Sequence, residues 1–132
     1  MNTIQSMRAV VGFGLLLALA SPTFAFAATD EDIIKAADRM VAASLKDPDA
    51  AKFTGEVVVR TEGKPLTVCG RVNGKNGYGA YVGAKWFFVQ MKLAAPELTA
   101  DQFGIEPPVS DSDLLSMRDR INFLGRLQDI CK

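Results

Sequence analysis

Downstream of residue 28 the hydrophobic period of the chain changes twice. Ile34, Ala37, Val41 and Leu45 recur at spacings of three and four, Ile33 and Met40 widen the stripe, and Lys35, Asp38 and Arg39 fall on the opposite side. That spacing predicts an amphipathic helix. Thr29 with Asp32 three residues later has the pattern of a capping box, and Asp30, Glu31 and Asp32 put negative charge where the helix dipole favours it. Pro48 drives Asp47 out of the α region and ends the helix. Asp47 and Pro48 then open a short turn, which drops Phe53 into the core.

From Gly55 the pattern becomes β-rich. Glu56–Thr61 and Leu66–Val72 predict a hairpin across the turn residues Glu62-Gly63-Lys64-Pro65. Asn73-Gly74 and Asn76-Gly77 mark a reversal. A further strand is expected through Tyr78–Val82 and on from Lys85 to Lys92, where Trp86, Phe87, Phe88 and Val89 are too apolar to face water on both sides. Ala94–Val109, with Pro96, Pro107 and Pro108, reads as an irregular linker with a short turn at Glu97–Phe103. Ser110 with Asp113 opens a final helix. Leu114, Met117, Ile121, Leu124, Leu127 and Cys131 recur every three or four residues and are expected to form its buried face. The fold class is therefore α+β: an N-terminal helix, an antiparallel three- to four-stranded meander, and a C-terminal helix. Cys69 alternates opposite to Leu66, Val68 and Val72, so either the sheet is covered on both faces or a bulge near Gly70 shifts the register.

The first residues change the setting of this fold. Arg8 supplies a positive start, Ala9–Ala20 an apolar run, Ser21-Pro22-Thr23 a break, and Ala25-Phe26-Ala27 a small-residue cleavage site. Residues 1–27 therefore read as a secretory signal peptide, too short in its apolar run for a spanning helix of about 20 residues. The expected location is periplasmic or secreted, with no stable membrane insertion. Removing 27 of 132 residues leaves 105, enough for one small α+β domain at 28–132. Without Arg8 the exported part has 14 basic and 15 acidic residues, so bulk attraction to nucleic acid is unsupported.

Cys69 and Cys131 both follow the leader and lie 62 positions apart. In an oxidising compartment such a pair is expected to bridge, worth roughly 4 kcal/mol in the chain-entropy model, and would tie the last helix to the sheet. A redox-active pair would call for a C-x-x-C arrangement, which is absent.

Histidine is absent from the sequence, which removes the commonest general base and zinc ligand. With the cysteines committed, a thiol nucleophile is removed too. The carboxylates Asp30-Glu31-Asp32 and Asp111, Asp113 cluster at helix starts, where the dipole accounts for them. No catalytic residue, metal site or cofactor is expected. The run Arg71–Trp86 is the segment that looks written for more than packing. Turns and bulges account for Gly74 and Gly77. Gly79 and Gly83, expected on one strand face with Tyr81 between them, either serve bends and packing as well or admit a close-approaching ligand. The candidate binding residues are Arg71, Lys75, Asn76, Tyr78, Tyr81, Lys85 and Trp86.

Two blocks, Leu45-Lys46-Asp47-Pro48-Asp49-Ala50-Ala51-Lys52-Phe53 and Cys69-Gly70-Arg71-Val72-Asn73-Gly74-Lys75-Asn76-Gly77-Tyr78-Gly79-Ala80-Tyr81-Val82-Gly83, cover roughly a quarter of the chain after the leader. They resemble the paired signature of a family of small uncharacterised exported bacterial proteins and domains, D-P-x-[SA]-A-x-F and C-G-x-V-N-x-K-N-x-x-G-[GA]-Y-x-G. Ala50 stands where that pattern usually has Ser, and Ala80 where it usually has Gly. The resemblance implies a domain assignment and carries no catalytic residues with it. The functional expectation is a small exported binding or interaction module, its ligand an envelope protein, peptide or glycan. An inhibitor or immunity-like protein acting on an exported enzyme is the alternative, and an enzyme comes behind both.

Overall fold

The computed structural model describes residues 28–94, 97–110 and 112–132. Residues 1–27, 95–96 and 111, and with them the signal-peptide assignment, Pro96 and Asp111, lie outside the described residues.

Helix α1 (Asp30–Ala43) is capped as its sequence demands. The Thr29 Oγ1 accepts from the Asp32 N–H at 3.2 Å while the Asp32 carboxylate accepts from the Thr29 N–H at 3.1 Å. Ile33, Ala36, Ala37 and Val41 form its buried stripe. A 3-10 turn at Pro48–Ala50 leads into strand β1 (Lys52–Val59), followed by β2 (Leu66–Asn73), β3 (Lys85–Ala94), β4 (Glu97–Ile105) and helix α2 (Leu114–Ile130). The four strands form one antiparallel meander in sequence order.

α1 lies on one face of this sheet. Ile33, Ala37 and Val41 meet Val68 and Val72 of β2 and Phe87, Val89 and Met91 of β3, with Phe53, Val58, Leu98 and Ile105 packed around them. Phe53 reaches Phe87 edge to face, ring centroids 5.7 Å apart, so the turn at Pro48 delivers this side chain as expected. The opposite face carries Cys69 and Phe88. α2 covers it through the Cys69–Cys131 disulfide and through Phe123, whose ring stacks on Phe88 at 5.9 Å. Coverage of both faces resolves the alternation of Cys69 against Val68 and Val72. A bulge is also present, but in β1, where Gly55 and Glu56 together face Gly70 and Gly55 takes φ 66°.

Glycines in β2 and β4 admit these aromatics. A Cβ on Gly70 would stand 2.9 Å from Phe87, and one on Gly104 would stand 2.7 Å from Phe88 and 3.1 Å from Phe123. Both contacts are tighter than a packed interior tolerates.

Three expectations are corrected. Glu97–Ile105 is a full strand, not an irregular linker. Its period-two signal is broken by a bulge at Asp101: Ala100 pairs with Met91 and Gln102 with Gln90, so the core-facing parity switches from Leu98 to Phe103 and Ile105. The long strand from Tyr78 divides likewise, since β3 begins only at Lys85 and residues 74–84 form a loop. The α2 stripe, finally, is not a buried face. Among the described residues no α2 side chain is fully buried, and Leu114 and Ile121 are 83% and 69% exposed. The helix turns Phe123, Leu127 and Ile130 toward the sheet, held at its C-terminal end by Cys131 and midway by an ion pair of Arg120 Nε with Glu106 Oε1 at 2.6 Å.

Asp38, expected to face water, is half-buried, with Oδ1 shielded and without a hydrogen-bond partner among the described residues. Burial, reinforced by the charge of Glu56 on β1, pushes its carboxyl up to about 6. A carboxyl whose folded-state value lies above its unfolded one binds more protons when folded, so its contribution favours the fold at low pH and is lost as pH rises from about 4 to about 6. Asp38→Asn is therefore expected to raise the melting temperature at pH 7 relative to pH 4. Thermal melts across that range check it, and an unchanged pH profile would refute the assignment.

The disulfide gives a second prediction. Cys69→Ser and Cys131→Ser should each lower stability by about 2 to 5 kcal/mol, and the double variant should add little, because both remove one bond. Denaturant melts measure this. Since the main core lies under α1, circular dichroism of the single variants should show lost helix while the sheet signal persists.

Candidate functional site

The loop 74–84 is built from short-range hydrogen bonds. Asn76 organises it: its Oδ1 accepts from the N–H groups of Tyr78 and Ala80 at 3.0 and 3.1 Å, and its own N–H donates to the Ala80 carbonyl at 2.8 Å. Lys75 and Tyr81 form a two-residue bridge, and the Val82 N–H donates to the Gly74 carbonyl at 3.3 Å. Gly79 and Gly83 take φ values of 79° and 95°, a region in which L side chains are strained. Open space surrounds the position where each would carry a Cβ. These glycines serve the backbone path of a loop; they do not line the face of a strand with Tyr81.

The loop is also stitched to the segment after α1. The Tyr81 hydroxyl donates to the Ala50 carbonyl at 3.1 Å, and its ring lies under Lys52 Nζ, 4.4 Å from the centroid, and Lys75 Nζ at 5.5 Å. Lys75 Nζ also stands 4.0 Å from the Asp47 carboxylate. A Cβ on Gly74 would meet Leu45 Cδ1 at 3.2 Å, and one on Gly77 would meet Lys46 Nζ at 3.4 Å. The two sequence blocks, 45–53 and 69–83, are thus one structural unit.

Between them lies a cleft of about 300 Å³. Ser44, Leu45 and Lys46 form one wall, Gly74–Gly77 the opposite one, and Val72, Val82, Gly83, Lys85 and Ile105 the rest. Its volume is at the small end for ligand sites. The lining residues combine apolar side chains with three lysines, Lys46, Lys75 and Lys85, and with Asn76.

The seven candidate residues divide. Lys75, Asn76 and Lys85 line the cleft. Tyr81 fixes the loop against Ala50. Tyr78 stands at the loop tip, 97% exposed. Arg71 and Trp86 pair across β2 and β3 on the other face of the sheet, where the Arg71 guanidinium lies 5.3 Å from the Trp86 ring and donates to the Ala84 carbonyl at 3.2 Å. Strand parity separates them from the cleft: Lys85 opposite Val72 points to the α1 side, and Trp86 opposite Arg71 to the α2 side.

Nothing in the sequence marks the proximity of Lys46 and Ser44 to Lys75 and Lys85. Nor does it mark Glu106. Its buried carboxylate accepts from the Trp86 N–H at 3.1 Å and pairs with Arg120, so it anchors α2 to the start of β3. Among the described residues no group of three or more His, Cys, Asp or Glu is arranged to hold a metal ion, and no helix is long and apolar enough to cross a membrane.

Comparison with protein families, with curated proteins and with solved structures finds no match for this chain.

Substitutions separate loop architecture from exposed chemistry. Gly79→Val and Gly83→Val should each cost about 1 to 2 kcal/mol through backbone strain. Tyr81→Phe should cost about 0.5 to 1.5 kcal/mol for its hydrogen bond. Tyr78→Ala and Lys85→Ala should stay within about 0.5 kcal/mol. Denaturant melts of the five variants check this order, and stable glycine variants would contradict the loop conformation.

Proposed function

We infer that the protein is a small exported binding module whose recognition element is the cleft between residues 44–46 and the loop 74–84. Its support is one observation: two segments distant in sequence are locked together by the Tyr81–Ala50 hydrogen bond and the Lys75–Asp47 pair, yet leave an open cleft between them. A loop spanned by so many of its own hydrogen bonds is preorganised, which lowers the entropy cost of binding. The lining sets lysines and Asn76 beside Leu45, Val72, Val82 and Ile105, a mixture of polar and apolar residues suited to holding a ligand. Export is supported by the leader pattern in residues 1–27 and by a disulfide compatible with an oxidising exterior. The resemblance of the two blocks to small exported bacterial proteins accords with this reading, since those blocks are the walls of the cleft.

The inhibitor or immunity-like alternative draws on a different feature, the fully exposed Tyr78 at the loop tip. One experiment separates the two. The protein from Ala28 onward, immobilised, is used to capture ligands from periplasmic extract, alongside Gly77→Leu, which fills the cleft mouth at a position free of positive φ, and Tyr78→Ala, which removes the tip. Capture should be lost with Gly77→Leu and kept with Tyr78→Ala. The reverse pattern favours the inhibitor, and capture indifferent to both removes this region from consideration.

A further inference from the structure

We propose that the cleft takes an anion carrying a short apolar body, a carboxylate or phosphate head seated among Lys46, Lys75 and Lys85 with its tail against Leu45, Val82 and Ile105. The inference rests on the cleft being the recognition element and adds the chemistry of what enters it.

Charge carries the argument. Three of the twelve residues lining the cleft are lysines and none is acidic, although the whole chain has as many acidic as basic residues. Among the described residues, Lys46 and Lys85 have no ion-pair partner, while Lys75 stands between the Asp47 carboxylate at 4.0 Å and the Tyr81 ring at 5.5 Å. Cationic residues lining a concave, partly apolar site with no acidic residue among them give it a positive potential, which favours an anion there. The rival explanation, that the lysines complement the carbonyl end of α1, is poorly placed. The Ser44 N–H and hydroxyl already bond the Val41 carbonyl, at 3.0 and 2.6 Å, and the Leu45 N–H bonds that of Ala42 at 2.9 Å.

The rest of the lining fixes the second half of the ligand. Val72 is buried beneath the cleft, and Leu45, Val82 and Ile105 present aliphatic surface to it, so a bare inorganic anion would leave most of the site unfilled. The small volume admits a short chain and not a bulky one. Lysine ammoniums are compact point charges that suit either a carboxylate or a phosphate, whereas the planar fork of arginine, which selects for bidentate pairing, is absent from the lining.

The test is an NMR titration of the protein from Ala28 onward with hexanoate, hexyl phosphate, 1-hexanol and inorganic phosphate as separate probes, following the amide signals of Gly74, Gly77 and Val82. Hexanoate or hexyl phosphate should shift these signals saturably, their relative affinity identifying the preferred head group, and added salt should weaken the binding. Hexanol and inorganic phosphate should each bind several-fold more weakly. Lys46→Ala and Lys85→Ala should weaken the anionic probe several-fold. Val82→Glu, at an exposed position, should abolish its binding with an unchanged melting temperature, and Lys64→Ala in the distant β1–β2 turn should leave it intact. Hexanol binding as well as the anions, or lysine variants without effect, would overturn the anion assignment and leave the cleft as a binding site. The absence of any shift at these three residues with every probe would overturn both.

Discussion

Everything in this fold depends on the two central strands being covered on both sides. β2 and β3 carry bulky apolar side chains in both parities, with Val68, Val72, Phe87 and Val89 on one face and Cys69 and Phe88 on the other. Leaving either face wet would expose aromatic surface that contributes strongly to stability when buried. α1 meets the first need through ordinary helix-on-sheet packing. α2 meets the second with few buried atoms of its own, relying on a covalent bond, one stacked ring and one ion pair. The two helices are therefore unequal: one belongs to the core, and the other is a cover held at chosen points.

The cleft is a by-product of how the covered strands are connected. β2 ends and β3 begins on the edge of the α1 layer, so the chain that joins them must pass the C-terminal end of α1. Gly74 lets it run close to Leu45, while Asn76 closes the loop on itself. The same passage brings Lys75 and Lys85 to the side where Lys46 leaves the helix. Trp86, the residue after Lys85, and Arg71 paired with it end on the far face for no reason except the strand's twofold alternation.

Local signals were legible in the sequence and long-range placements were not. The capping box at Thr29, the short turn at Pro48 and the hairpin after Val59 each follow from a few neighbouring residues, and so they were readable; the end of α1 was not, since the helix stops at Ala43 with Ser44 as its cap, ahead of the stop expected from Pro48. The β4 strand was hidden because a bulge at Asp101 reverses the parity of its apolar positions halfway along, leaving no continuous period to detect. For α2, spacing identified a helix but could not say which side meets the sheet: Leu114 and Ile121 fit the stripe better than Phe123 does, yet Phe123 is the residue opposite Gly104 and Phe88. The unusual composition of residues 71–86 was visible in the sequence. Their division between two faces was not, because it depends on where β3 begins, and the tyrosine and glycines ahead of Lys85 mimic a strand.

The two bulges have a consequence for how copies of this protein meet. β1 and β4 are the outer strands of an open sheet, each with one edge of backbone N–H and C=O groups that could pair with another chain. Both are irregular where a regular ladder would be needed: β1 is broken at Gly55 and Glu56, and β4 at Asp101, whose carboxylate is drawn to Lys92 at 2.6 Å. Neither rim offers a straight template for strand addition. The irregularity that obscured β4 in the sequence thus also breaks the straight edge that strand-to-strand addition between copies would need.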